Sequence, residues 1–566
     1  MQRILSLLSK ESGSVHQAAF LLGLFAFLSQ LLGLVRDRLL AHFIGPSLTL
    51  DLYYAAFRIP DFIFVSVASL VSIAVLVPFL SETVKSSSEE SKKDTEHFIT
   101  MVFSGFFIIL IVVCLIAYIL MPYLVNILFP GYTSESEKTL ITLSRILLAS
   151  PILLGLSNIL GSVTQLFRRF FVYSMSPVFY NIGIIIGVAF LYPLFGTFGL
   201  VYGVVCGALF HFLIQFFATA GIHFLPKITF SIDWKLIVRV VKVSIPRTVG
   251  LMANNIAMTV LIALASSLPE GAISIFVLAY GIQSVPLSII GLSYSVAAFP
   301  VLAELHVKED KKAFMMQIEN AARQIIFWSF PVIALFIVLR AQIVRVILGG
   351  RSFSWDATRL TAAALALFAI SVVAQSLIAL LVRGYYATGK TTRPLLVNVS
   401  TSLGIVVLAY IIPPLLTNPS TASSVGNFLR VSTVPDIRIL GLVLAYTLGT
   451  ILNFIVLLFF FKKDFNNVSY QLSIGRTSLE SIGASIVIGT VAYIMLGVVV
   501  QFLTIDTFFG ILSQGLIAGG VGIIAGITVL HLCKSRELAV VSSTLKSKFW
   551  KTADTTISGT QEDLQA

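Results

Sequence analysis

The sequence predicts an all-α polytopic membrane protein with 14 transmembrane helices, and three observations carry that reading. Of 566 residues, 57% are hydrophobic and 11% charged, whereas a soluble chain carries about 25% charged residues. The apolar residues come in long runs: from Gln17 to Val35 only Gln17, Ser29 and Gln30 are polar, and 99–128, 178–222, 437–461 and 480–503 are similar. Each run reaches the roughly 20 residues needed to cross a bilayer core. The basic residues between the runs also alternate in density along the chain. Short alternating strands, the mark of a β-barrel, are missing.

The elements follow in order. MQRILSLLSK sets Ile4, Leu5, Leu7 and Leu8 against Arg3, Ser6 and Lys10, so 1–15 is expected to be an interfacial segment. The next apolar run has no small-residue cleavage site and continues into LVRDR, so it is expected to be a span and not a signal peptide. Helices are expected at 17–42, 50–82, 97–128, 137–165, 172–193, 196–222, 236–266, 271–305, 313–346, 356–383, 392–414, 437–461, 477–503 and 507–533. With the N-terminus inside, the inner loops and helix ends carry 25 Lys and Arg residues, among them Lys85, Lys92, Lys93, Lys308, Lys311, Lys312, Lys462, Lys463 and Lys534. The outer ones carry 9: Arg36, Arg38, Lys138, Arg340, Arg345, Arg351, Arg359, Arg430 and Arg438. A missed helix would scramble this asymmetry, so both termini are expected in the cytoplasm and 415–436 outside.

The chain repeats itself. VNILFPG (125–131) resembles VRVILGG (344–350) at an offset of 219, VPFLSE (77–82) resembles FPVLAE (299–304) at 222, and Pro177/Asn181 maps on Pro394/Asn398 at 217. Two copies of six helices, an even number, are parallel and related by an axis along the membrane normal. The expected organisation is an N-lobe at 16–230, a C-lobe at 231–465, a helix pair at 466–535 outside the repeat, and a polar cytoplasmic tail at 536–566. A two-lobed transporter with its site between the lobes follows; a duplicated scaffold without transport is the alternative.

Charge inside a span costs several kcal/mol and so marks a cavity. The first span ends in Arg36, Asp37 and Arg38, and the second begins LDLYYAAFRIPDF. At about 100° per residue, Asp51, Arg58 and Ser69 share one helix face, with Asp61 and Ser72 nearby. Pro60 interrupts the helix beside them. The seventh helix carries Arg247 and Asn254 on one face, and the eighth carries Gln283, Ser284 and Ser288 around Pro286. These residues suit an anion-binding cavity: Arg36, Arg58 and Arg247 as ligands, with Asp37, Asp51, Asp61, Asn254 and Gln283 orienting them. Arg36, Asp37 and Asp51 suit a structural ion-pair group equally well. Glu319 and Arg323 read as a structural i,i+4 pair.

Catalysis and cofactors find no support. The net charge of +12 reports orientation in a membrane protein, not nucleic-acid binding. His16, His42, His97, His211, His223, His306 and His531 are scattered without ligand spacing, no phosphate-binding loop is present, and Cys114, Cys206 and Cys533 form no CxxC pair. The three cysteines read as buried small hydrophobes.

The segment LGLVRDRLLAHFIGPSLTLDLYYAAFRIPDF with VPFLSE resembles the opening signature of the MurJ (MviN) lipid II flippases. SIPRTVG, PLSIIGLSYSVAAFPVLAE and RGYYATGKTTRP resemble later ones. The resemblance implies a MATE-like fold of two six-helix lobes plus a helix pair. It also implies movement of undecaprenyl-pyrophosphate-linked peptidoglycan precursor from the inner to the outer leaflet of the bacterial cytoplasmic membrane. The partners so implied are lipid II and membrane lipids, with a monomer expected. Arg36, Asp37, Asp51 and Arg58 match family positions. Gln30, Phe64, Val65, Ser69 and Gly281 depart from it, leaving fewer charges. For some members the resemblance implies sodium bound by carboxylates on the seventh and eleventh helices, whereas 240–266 and 391–413 here contain no Asp or Glu. A flippase for another lipid-linked oligosaccharide and a drug/cation antiporter share the fold and stay open as alternatives. The helix pair at 466–535 is expected to hold the lipid tail.

Overall fold

The computed structural model describes residues 15–71, 89–221, 224–465, 474–504 and 507–543, without the side chains of 15–20, 69, 71, 89–94 and 246–247. Every regular element among the described residues is helical. By length and composition eleven helices can cross a membrane, or up to twelve if Trp355–Ile370 and Val372–Ala387, bent by 41°, form one span. Two of the fourteen expected segments are not among these. One is the helix Val15–Phe43, and the other, 50–82, leaves the described residues after 71.

Local chemistry sets the breaks. α1 (Val15–Phe43) ends where Gly45 takes a positive φ of 67° before Pro46. The Ser47 hydroxyl then caps α2 (Leu48–Ala56) by accepting the Leu50 amide. The expected single helix from 50 onward is divided: α3 (Arg58–Ser66) starts afresh after Phe57, and a 3-10 turn follows at Ala68–Val71. Pro60 has no N–H to give the Ala56 carbonyl, so the ladder opens there. After α4 (Glu89–Leu128), Pro151 likewise opens the ladder between α5 (Ser134–Leu147) and α6 (Ala149–Leu166), which still make one span over the expected 137–165.

α7 (Phe170–Ile186) and α8 (Thr197–Gly221) approach closely through glycines. A Cβ on Gly183 would collide with Gly207, and one on Gly187 would lie 2.6 Å from the Gly203 Cα. Small residues at four-residue spacing are how membrane helices pack tightly. α9 (Trp234–Ala265) is capped by Asp233. α10 (Ala272–Pro286) passes through a π-helical turn, Leu287–Leu292, into α11 (Ser293–Val307). α12 (Lys311–Val338), α13 (Arg340–Leu348), α14 (Trp355–Ile370), α15 (Val372–Ala387) and α16 (Thr392–Leu415) follow. The 415–436 connection holds a short helix, α17 (Pro419–Leu429), before α18 (Ile439–Asp464), α19 (Gly475–Val499) and α20 (Phe508–Leu532).

The described residues group into two compact units that interleave along the chain. One comprises the described parts of Met1–Ile282, Ile347–Ala364 and Thr391–Gly449. Its core joins Phe98, Val102, Phe106, Leu160, Val163 and Val240. The other comprises Gln283–Val346, Leu365–Lys390 and the described part of Thr450–Ala566. There Gly522 lets α20 lie against Ala492 of α19, and Gly489 and Gly519 face Val338 and Leu339 at the end of α12. The Glu319–Arg323 pair is formed at 2.8 Å. Cys114 is buried and Cys206 partly so, but Cys533 is exposed, which corrects its reading as a buried hydrophobe.

Candidate functional site

The charges of α1, α2 and α3 come together in the first unit. Arg36 donates through Nε to Asp37 Oδ1 at 2.9 Å, with a second contact from the same guanidinium at 2.8 Å. It also donates to Asn181 Oδ1 of α7 at 3.3 Å. Asn181 is held in turn by donating to the Ser29 hydroxyl and the Pro177 carbonyl, each at 3.1 Å. Tyr53, Tyr54 and Tyr180 lie within electrostatic reach of Arg36, and Tyr53 and Tyr180 also of Asp61. α10 passes close by at Gly281, where a Cβ would lie 3.3 Å from Asp37 Oδ2. An arginine at this point would stand directly on the carboxylate.

Asp51 is spoken for. Its carboxylate accepts the Gly271 amide at 2.7 Å, the Ser274 amide at 2.7 Å and the Ser274 hydroxyl at 2.5 Å. Those groups are the open N-terminus of α10, whose orphan amides and positive dipole end favour an anion. A carboxylate on the second expected span thus holds the start of the eighth, 220 residues away.

Arg58 differs. Its side chain is 16% exposed, its ion pair with Asp61 is long at 3.6 Å, and its Nε–H has no partner among the described residues. A buried donor left open costs about 1–3 kcal/mol and calls for an explanation. Phe57, between α2 and α3, keeps right-handed helical dihedrals (φ −73°, ψ −22°), and the two charges make separate contacts, Asp51 with the start of α10 and Arg58 with Asp61.

The remaining expected residues stand apart. Arg247 belongs to α9 by its backbone, but its side chain is outside the described residues. Asn254 is exposed on α9. Gln283 belongs to the second unit, fully buried, with both amide atoms unpartnered among the described residues. Sequence reasoning did not assign Asn181, Tyr53, Tyr54 or Ser274 to the site; only Asn181 had shown itself, in the Pro177/Asn181 repeat pair. No group of three or more metal-ligating side chains occurs among the described residues.

The sequence profile described as "Lipid II flippase MurJ" matches residues 40–513. The chain belongs to the MurJ lipid II flippase family. MurJ relatives include the probable lipid II flippase MurJ of Rickettsia prowazekii (strain Madrid E), 27% identical over 390 residues, covering 68% of this chain and 75% of that one. The lipid II flippase MurJ of Burkholderia cenocepacia is 22% identical over 410 residues, covering 71% and 79%. A solved lipid II flippase MurJ in an inward closed conformation matches with a TM-score of 0.69 at 22% identity, over 94% of this chain and 99% of that chain. An inward-facing multidrug resistance MATE transporter of the MOP superfamily matches with a TM-score of 0.62 at 16% identity, over 78% and 96%. The fold is therefore MurJ/MATE-like, and the MurJ family is one of membrane transporters, not of enzymes.

Proposed function

We propose that this chain moves lipid II, the undecaprenyl-pyrophosphate-linked peptidoglycan precursor, from the inner to the outer leaflet by alternating access. Arg58, Arg36 and Arg247 bind the pyrophosphate. The observation that carries the reading is Arg58: a largely buried guanidinium with a long ion pair and an open Nε–H donor. Pyrophosphate brings about two negative charges, which hydrocarbon does not tolerate unpaired. Arginine replaces the lost hydration with forked, charge-assisted hydrogen bonds. Arg36 has two of its five N–H groups left after its bonds to Asp37 and Asn181. Asp37 and Asp61 hold the two guanidinium groups in place, and Asp51 sets the position of α10. Asn254 and Gln283 serve as polar lining for the sugar-peptide headgroup.

The two lobes at 16–230 and 231–465 rock about the site, while α19 and α20 carry the isoprenoid tail. The protein is a monomer of the bacterial cytoplasmic membrane with both termini inside. An inside-negative potential favours outward movement of the anionic headgroup, worth about 2.3 kcal/mol per charge per 100 mV. A second reading, a flippase for another lipid-linked oligosaccharide, draws on Phe64, Val65, Ser69 and Gly281, which thin out the charge expected of the family. Complementation of a strain depleted of its lipid II flippase separates the two. Growth restored by the parent chain and lost with Arg58→Ala supports lipid II as the cargo. A well-expressed parent chain that fails to restore growth contradicts it.

A further inference from the structure

Beyond α20 the chain folds back into an open cavity of about 750 Å³, whose lining includes His531, Lys534, Arg536 and Ser542 over Ile527 and Leu538. α20 ends at Leu532, Lys534 takes a positive φ of 51°, and a helix runs over 536–543. The turn is closed by the Lys534 amide on His531 and the Ser535 amide on Leu530, each at 3.0 Å.

The charges of this turn are sorted by side. Its one carboxylate, Glu537, is turned inward and buried. There it accepts the Thr477 hydroxyl at 2.7 Å and lies 3.9 Å from the Arg323 guanidinium. Leu538 and Val541 pack on a small core of Phe327, Ala484 and Leu530. The segment is thus anchored through its acid and its apolar residues. The Ser535 hydroxyl donates inward to Glu537, and what remains facing the cavity is His531, Lys534, Arg536 and Ser542, above apolar residues at the foot of a membrane helix, with no carboxylate among the lining residues.

We infer that this cavity binds the headgroup of an anionic phospholipid, with Lys534 and Arg536 on the phosphate and the acyl chains descending along α20. With the C-terminus inside, as proposed above, the cavity lies in the cytoplasmic leaflet, where basic pockets at the membrane surface recognise anionic lipid headgroups. A cationic rim over an apolar wall matches a lipid in both of its parts, where free phosphate matches only the rim. The site is independent of the cargo: it stands or falls whatever the arginines of α1 and α3 bind.

The test is lipid retention by the full chain in nanodiscs of phosphatidylcholine with and without phosphatidylglycerol, read by native mass spectrometry. Phosphatidylglycerol is expected to be retained over phosphatidylcholine. Each basic residue near an anionic surface is worth about fivefold in affinity. Lys534→Asn, which suits the positive φ, and Arg536→Gln should therefore each weaken retention about fivefold, and together about twenty-fivefold. Lys462→Gln with Lys463→Gln, at the end of α18, should leave it unchanged. Equal retention of both lipids overturns the inference, as does undiminished binding by both single variants or displacement of the lipid by inorganic phosphate at matched concentration. The single variants keep the test decisive if the double variant unfolds.

Discussion

Arg58 and Asp51 lie seven residues apart and meet their surroundings in opposite ways. Asp51 accepts three hydrogen bonds at the start of α10, so Asp51→Ala strips a buried helix N-terminus of its cap. Hydrogen bonds to charged groups are worth about 1.5–3 kcal/mol, and a drop of about 3 kcal/mol in stability is expected, seen as a lower thermal midpoint in detergent. An unchanged midpoint would mean that α10 is held elsewhere. Arg58 has an open donor instead, so Arg58→Ala should cost little stability but about ten- to a hundredfold in lipid II binding, measured by titration of the purified protein. Arg58→Lys should recover part of this, since lysine keeps the charge without the planar fork. The sequence could flag these residues because charge is conspicuous in an apolar run. It could not assign their partners, since the Asp51 contact spans 220 residues and chain spacing carries no information at that range. The bonds of Asp51 run to two amides and a hydroxyl, whereas the structural alternative drawn from sequence was an ion-pair group with Arg36 and Asp37.

Between residues and the whole molecule, prolines and glycines shape the helices. Pro60 and Pro151 were visible in the sequence, yet their breaks fall a few residues earlier, because each proline leaves a carbonyl on the preceding turn without its donor. The π-turns at Gly187–Leu191 and Leu287–Leu292 had no comparable signal. The glycine ladder did have one. Gly183 on α7, Gly187 at the start of the π-turn that follows it, and Gly199, Gly203 and Gly207 on α8 recur at four-residue spacing, and the structure sets them against each other or against nearby backbone. Gly207→Val should separate α7 from α8, moving Asn181 away from Arg36. Overpacking costs typically 1–3 kcal/mol, and more where backbone must yield, so folded protein recovered after detergent extraction should fall sharply. Gly475→Ala, where an added Cβ meets nothing within 4 Å, should be neutral. Equal yields of the two variants would show that the close approach is dispensable.

For the molecule as a whole, apolar run length was enough to read an all-helical membrane protein, while direction and lobe arrangement rest on charge and repeat arguments. With exposed Cys533 replaced, single cysteines in 415–436 should react with an impermeant reagent added outside, and those in 83–96 should not. The reverse pattern would invert the topology. A prenyl-chain photoprobe should label α19 and α20, whose Ile486, Ile494, Leu516 and Ile524 are exposed. Labels confined to other helices would move the tail elsewhere. The central claim is that Arg58 and Arg247 carry the pyrophosphate across. Its most direct test is lipid II translocation in proteoliposomes under an imposed inside-negative potential, comparing the parent chain with Arg58→Ala and Arg247→Ala. The account predicts translocation by the parent, loss of at least tenfold in each alanine variant at equal reconstituted amounts, and partial recovery with lysine. Translocation at the parental rate by both alanine variants would contradict it and leave these arginines as structural residues.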